Sequence, residues 1–286
     1  GVTGVQTCAL PISQTRFTWV IGRVEHKLMG LVPGVEFITY DKRGGLKELF
    51  RMRRVLLARR FDLLLHMQLA FRASILSTFV RAPVKLGFDR ERAKELQYLF
   101  TSHHVHPAEN QHVLDGLFGF AEALGVHDRV LDWRIPLPPD AEAYARQLIP
   151  DVRPTIVISP CSSHRLRNWS AANYAAIANH AVRAHGLRVI LAGGPSPVER
   201  QMADAIRGLV EVPVIDQVGK DTLPQLLALL ARSDVLLTPD SGPAHMATMV
   251  GTPVIGLYAA TNPARTGPYL SRQNCIDRYA VAAREF

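Results

Sequence analysis

Residues 233–269, SDVLLTPDSGPAHMATMVGTPVIGLYAATNPARTGPY, constrain the fold more tightly than any other stretch of the chain. Two apolar runs, 235–237 and 254–258, are each bounded by turn formers and have the length of a buried strand. Between them lie Asp240-Ser241-Gly242-Pro243-Ala244-His245, a helix-like stretch over 246–250, and a stop at Gly251-Thr252-Pro253. The pattern predicts strand, tight polar turn, helix and strand. Its turn falls at the carboxyl end of a parallel strand, where such sheets bind ligands, with helix-initial N–H groups directed at an anion. A diphosphate suits that position. Asp240 can cap the helix or accept hydrogen bonds from sugar hydroxyls, Ser241 and Gly242 can present N–H groups to phosphate, and His245 can face the same anion. Pro243 surrenders only an N–H that would be unpaired anyway. From the local pattern alone, an ordinary capping turn accounts for Asp240 and Ser241 equally well.

The remainder alternates in the same way. Strands are expected at 17–21, 35–40, 61–68 and 84–89, with helices at 46–60, 70–79 and 112–124 and a stop at Gly125. The proline-rich run Ile135-Pro136-Leu137-Pro138-Pro139-Asp140 breaks regular structure and reads as an interdomain connection, followed by a short helix over 141–148. Strands at 155–158, in 189–195 with its closing glycine turn, and at 212–215 then alternate with helices at 169–185, 199–207 and 223–231. The order from 154 to 260 is β-α-β-α-β-α-β-α-β, that of a doubly wound nucleotide-binding domain. Directly after the 155–158 strand, Ser162, Ser163 and Arg167 precede Trp169 in a loop able to hold phosphate by hydroxyls, backbone amides and one cation without a metal. Trp169 is expected to pack, and Glu199 opens the next helix.

A chain of 286 residues that is 48% hydrophobic can bury two cores of ordinary size. Its formal charge of +8 points to an anionic partner, and the basic residues between Lys42 and Lys94 concentrate that charge in the first half. Few aromatics interleave with them, which argues against single-stranded nucleic acid. Cys8, Cys161 and Cys275 are too scattered for a zinc site and suit a reducing compartment. His103, His104, His106 and His112 lack metal-ligand spacing, so no metal is expected. No G-x-G-x-x-G follows a strand, which disfavours a nicotinamide-dependent dehydrogenase.

The strings D-S-G-x-x-H at 240–245, G-T-P-V-I-x-L at 251–257 and T-N-P-x-R-T-G-P-Y at 261–269, with S-S-x-x-x-R-x-W at 162–169, resemble glycosyltransferase family 9, the lipopolysaccharide heptosyltransferases. The likeness extends over residues 16–280. It implies the α/β GT-B fold: two Rossmann-like, doubly wound parallel-sheet domains facing a cleft. By the same resemblance, residues 14–137 form an acceptor-binding domain whose first strand is missing, 138–153 a linker, and 154–286 a nucleotide-sugar-binding domain. Residues 1–13 look like translated adaptor sequence and are expected to be a non-native leader. The catalytic residue is left unassigned, because the family's Gly-Asp turn, which carries the expected aspartate, is not visible here.

The implied activity is inverting, metal-independent and cofactor-free transfer of heptose from a nucleotide donor, expected to be ADP-heptose, to the lipopolysaccharide inner core. Ser162, Ser163, Arg167, Asp240, Ser241, Gly242 and His245 would hold the donor diphosphate, and Glu199 is the candidate ribose ligand. The implied partners are the nucleotide sugar, an anionic lipid-linked glycan acceptor and a peripheral contact with the inner membrane surface, with no nucleic acid; the implied location is cytoplasmic. The alternative expectation is a catalytically incomplete fragment that still binds ADP-sugar.

Overall fold

The computed structural model describes residues 15–133 and 135–285. The expected leader over 1–13 lies outside the described residues. The chain divides into two compact units, Gly1–Trp133 and Arg134–Phe286.

In the first unit, β1 (Phe17–Gly22), α1 (Arg23–Met29) and β2 (Val35–Tyr40) form a βαβ element whose strands pair in parallel from Phe17↔Val35 to Gly22↔Tyr40. Next come α2 (Gly45–Leu57), β3 (Leu63–Leu65), α3 (Phe71–Thr78), β4 (Val84–Gly87), β5 (His103–His104) and α4 (Val113–Glu122). Among the described residues the strands make two separate parallel sheets, β1-β2 and β3-β4-β5. One apolar layer serves both. Met52 and Leu56 of α2 and Leu76 of α3 pack with Val20 and Ile38 from the first sheet and with Leu64 from the second. A second cluster of Leu86, Phe88, Val105, Leu117 and Phe120 seats α4 on the three-stranded sheet.

The strand expected over 61–68 narrows to three residues, although Phe61 N–H still donates to Arg81 O and His66 N–H to Leu86 O at its margins. The pair His103–His104, read as part of a histidine cluster, is instead strand β5, recruited by pairing with Leu86 and Gly87. Two polar residues carry no period to read, so backbone pairing alone defines this strand.

In the second unit, α5 (Pro139–Leu148) precedes β6 (Thr155–Ile158), α6 (Ala171–His185), β7 (Arg188–Leu191), α7 (Pro197–Leu209), β8 (Ile215–Asp216), α8 (Leu223–Arg232), β9 (Val235–Pro239), α9 (Gly242–Met249) and β10 (Val254–Tyr258). The chain continues through α10 (Pro263–Thr266), β11 (Cys275–Asp277) and α11 (Tyr279–Glu285). The sheet order β11-β10-β9-β6-β7-β8 is doubly wound, with every pairing parallel. Winding proceeds from β6 outward to β8 on one side and from β9 outward to β11 on the other. The reversal lies between β6 and β9, whose central residues Val157 and Leu236 are fully buried.

Three local differences from expectation have simple causes. Residues 138–153, expected as a linker with a short helix over 141–148, belong with that helix, α5, to the second unit; Ala141 and Ala145 pack on Ala228 of α8, and Arg232 Nε donates to Ile149 O at 2.6 Å. The strand expected at 212–215 begins only at Ile215, because Pro213 has no N–H to enter the ladder. After Tyr269, where the sequence shows no period, Gly256↔Cys275 pairing recruits β11 as a sixth strand.

Candidate functional site

The site assembles at the reversal point of the second unit. In an open parallel sheet, the loops leaving the carboxyl ends of the two strands flanking such a point diverge to opposite faces and leave a crevice between them. Here those loops are 159–170, after β6, and 240–241, after β9. All the residues expected to hold a diphosphate sit on these loops or on the first turn of α9.

The loop after β6 is shaped by its own polar groups. Ser162 N–H donates to Asn168 Oδ1 at 2.7 Å, closing the segment around a short 3-10 turn, Arg165–Arg167. Ser163 is exposed and Ser162 half-buried, so both hydroxyls lie near the surface of the loop. Trp169 packs edge-to-face on the fully buried ring of Tyr174, with centroids 5.6 Å apart, and so anchors the loop to α6. Ser170 then caps α6 by accepting from Asn173 N–H.

Arg167 and Asp240 join the two loops. Arg167 Nη1 lies 3.2 Å from Asp240 Oδ2 and donates to Asp240 O at 3.4 Å. Thr266 Oγ1 donates to the same carboxylate oxygen at 3.4 Å. Asp240 is buried, whereas the Arg167 side chain keeps 31% of its exposure. A guanidinium carries five N–H donors, and contacts through one nitrogen leave most of them available to a second anion. Asp240 therefore holds the cation beside the crevice, and the N-cap position of α9 falls to Ser241.

The start of α9 shows the other half of the arrangement. Ser241 occupies the N-cap position but makes no side-chain cap, because its hydroxyl pairs with Thr238 Oγ1 at 2.8 Å. Thr238 is in turn fixed by donating to Ser159 O at 2.9 Å across the reversal point. By contrast, Ser170, Ser196, Thr222 and Asn262 all cap the helices that follow them. The first amides of α9 thus lack the side-chain acceptor that its neighbours have, and the helix dipole adds to their attraction for an anion. A Cβ built on Gly242 would meet nothing within 4 Å. No packing within the protein demands glycine there, so the position is open to a ligand approaching the backbone. His245 lies half-buried on the first turn of the same helix.

Glu199 is already engaged. Its carboxylate accepts from Gly194 N–H at 2.7 Å and from Ser196 Oγ at 2.6 Å, while Ser196 Oγ accepts from Glu199 N–H at 3.3 Å. This reciprocal cap ties the glycine turn after β7 to α7. A side chain at Gly194 would come within 2.8 Å of that carboxylate. Burial, reinforced by the charge of Glu199, pushes the Asp221 carboxyl up to about 6. Asp221 precedes the Thr222 cap of α8. Sequence reasoning missed Asn168, Thr238 and Asp221, since single polar residues beside strand ends carry no periodic signal. Among the described residues no group of three or more His, Cys, Asp or Glu side chains is placed to hold a metal ion. His112 caps α4, and His104 stacks on Tyr98.

Two α/β units built on parallel sheets, one of them doubly wound about a reversal point, give the protein a GT-B type architecture of Rossmann-like domains. Residues 49–285 match glycosyltransferase family 9 (heptosyltransferase), and the chain belongs to this family. It is 40% identical over 272 residues to the lipopolysaccharide core heptosyltransferase OpsX of Haemophilus influenzae, covering 95% of this chain and 78% of that protein. In fold it is similar to the glycosyl transferase family 9 protein of Veillonella parvula, with a TM-score of 0.78, 25% identity and coverage of 94% and 79% of the two chains. The Escherichia coli heptosyltransferase WaaC, solved with ADP, shares the fold at a TM-score of 0.74 and 21% identity, over 96% and 87% of the chains.

Proposed function

We propose that this enzyme transfers heptose from ADP-heptose to the lipopolysaccharide core, with inversion at the anomeric carbon and without a metal. The observation that carries the donor reading is the pairing, across one reversal point, of the α9 start lacking a side-chain cap with the Asp240-held Arg167. Backbone N–H groups and one guanidinium offer a diphosphate the compensation a divalent cation would otherwise supply. The relatives that act on the lipopolysaccharide core and the neighbour solved with ADP support the choice of acceptor and nucleotide.

In this reading the diphosphate lies between Ser162, Ser163 and Arg167 on one side and Ser241, Gly242 and His245 on the other. Glu199, held at the end of β7, retains lone pairs that can accept from ribose hydroxyls. The acceptor hydroxyl attacks the anomeric carbon opposite the diphosphate while a carboxylate takes its proton, and Arg167 with the α9 amides stabilises the departing charge. The basic first unit receives the anionic, lipid-linked acceptor. No helix among the described residues is long and apolar enough to cross a membrane. In this reading the lipid-linked acceptor is met at the cytoplasmic membrane surface.

Calorimetric titration of ADP tests the donor site. Arg167→Ala should weaken binding about 10- to 100-fold, the range for a charge-assisted contact to phosphate. Undiminished affinity in that variant would overturn the assignment. A chain that binds ADP normally but transfers no heptose in a radiolabelled-acceptor assay would be the binding-only alternative.

A further inference from the structure

The outward face of α2 combines exposed apolar side chains with exposed cations. At 100° per residue, Met52, Val55 and Leu56 turn toward the apolar layer beneath the helix, together with Glu48, whose carboxylate is taken up by Arg51 and by Asp41 N–H at 2.8 Å. The opposite face should be polar in a helix of this kind, yet it carries Leu46 and Phe50, one turn apart, which are 72% and 66% exposed. Arg43, Lys47, Arg53 and Arg54 flank them. All four are exposed and make no ion pair among the described residues. No exposed carboxylate lies on α2, since its one acidic residue, Glu48, is buried. The first unit as a whole holds 18 Lys and Arg against 13 Asp and Glu.

We propose that this face of α2 docks the enzyme on an anionic lipid bilayer, with Leu46 and Phe50 entering the headgroup boundary and Arg43, Lys47, Arg53 and Arg54 pairing with lipid phosphates. Large apolar side chains ringed by cations of one sign are the composition that binds an anionic interface, where neither contribution alone gives stable attachment. A nucleic acid would match the cations but leave two isolated apolar side chains without a stacking role. The position also fits. α2 begins at the carboxyl end of β2, the edge at which parallel sheets receive ligands, so a bilayer held there presents a lipid-linked acceptor to that edge. The inference rests on the lipid-linked acceptor reading and is independent of the donor site.

The test is co-sedimentation of the full chain with vesicles of phosphatidylcholine, with and without phosphatidylglycerol. Wild-type protein should pellet with the anionic vesicles, much less with neutral ones, and progressively less as salt rises. Each cation near an anionic surface raises partitioning about fivefold, so Lys47→Glu with Arg54→Glu should reduce it at least ~20-fold. Leu46→Ser with Phe50→Ser should reduce it about 10-fold or more. Both pairs are on the surface, so far-ultraviolet circular dichroism and ADP affinity should stay at wild-type values. Indifference of the wild-type chain to phosphatidylglycerol, or wild-type pelleting by both variants, overturns the proposal. So does a concentration-dependent dimer in analytical ultracentrifugation that the serine pair abolishes without changing vesicle binding, since the face would then belong to a second copy. A wild-type chain that binds ADP but not anionic vesicles defeats the docking surface alone; a wild-type chain that binds anionic vesicles but not ADP defeats the donor reading alone.

Discussion

The two units use the same βα alternation but hold their sheets together differently. In the second, one ladder runs unbroken from β8 through the reversal point to β11, and Val157, Ile190 and Leu236 at its centre are fully buried. In the first, the described strands form separate sheets of two and three strands, joined through the side chains of α2 and α3. Hydrogen-bonded ladders transmit order between neighbouring strands, whereas a shared helix layer transmits it only through apolar packing. The difference suits the division of labour proposed above. A nucleotide site would need amides and a guanidinium fixed to a fraction of an ångström, while an acceptor surface would work by charge and area.

The largest test of that contrast is truncation in each sheet. Ile190→Ala in β7 should cost about 3–4 kcal/mol and Leu64→Ala in β3 about 1–2 kcal/mol, because Ile190 is wholly enclosed and Leu64 only half-buried. Urea unfolding followed by hydrogen exchange would read each unit separately, and equal costs would break the comparison.

Acid should act on the first unit. His66, buried at the end of β3, lies 3.2 Å from Ser74 Oγ and within reach of the Gln97 amide, which also donates to His66 O at 2.7 Å. Burial, with Lys85 nearby, lowers its imidazole from the usual 6.5 to about 4. The folded state therefore favours the neutral ring, and the unfolded chain takes up the proton first as pH falls. Stability from this group is complete above pH 6.5 and is lost between 6.5 and 4, amounting to about 3 kcal/mol. His66→Gln should flatten that part of the stability profile, as measured by denaturant midpoints across the pH range. A loss of equal steepness in the variant would remove His66 as the cause.

The smallest effect belongs to Gly242→Ala. With no neighbour within 4 Å of the added methyl, the melting temperature should not fall, whereas ADP affinity should drop about three- to tenfold if the diphosphate approaches this backbone. An unchanged affinity would move the anion away from α9.

Much of this was legible in the residues because the signals were periodic or chemically specific. The strands 35–40, 155–158 and 254–258 read correctly from apolar runs between turn formers, and the structure brings the residues expected to face phosphate onto the loops after β6 and β9 and the first turn of α9. The helix within 138–153 was legible, but its place was not: only the packing of Ala141 and Ala145 on Ala228 makes it part of the second unit and not of a linker. Ser241 shows the same limit at atomic scale. Its type and position announce a helix cap, but Thr238 on the adjacent strand takes the hydroxyl and leaves the α9 start without a side-chain cap.

By itself, then, the sequence determined the alternation of elements, the family and which two loops follow the strands that flank the reversal point, all set by local pattern and residue chemistry. Only the tertiary structure decided which strands neighbour one another, that Asp240 holds Arg167, and that β5 and β11 exist at all. The physical reason is common to these cases: strand order and cross-loop hydrogen bonds are contacts between residues distant in the chain, and their free energy has no expression in the short-range periodicity of either partner.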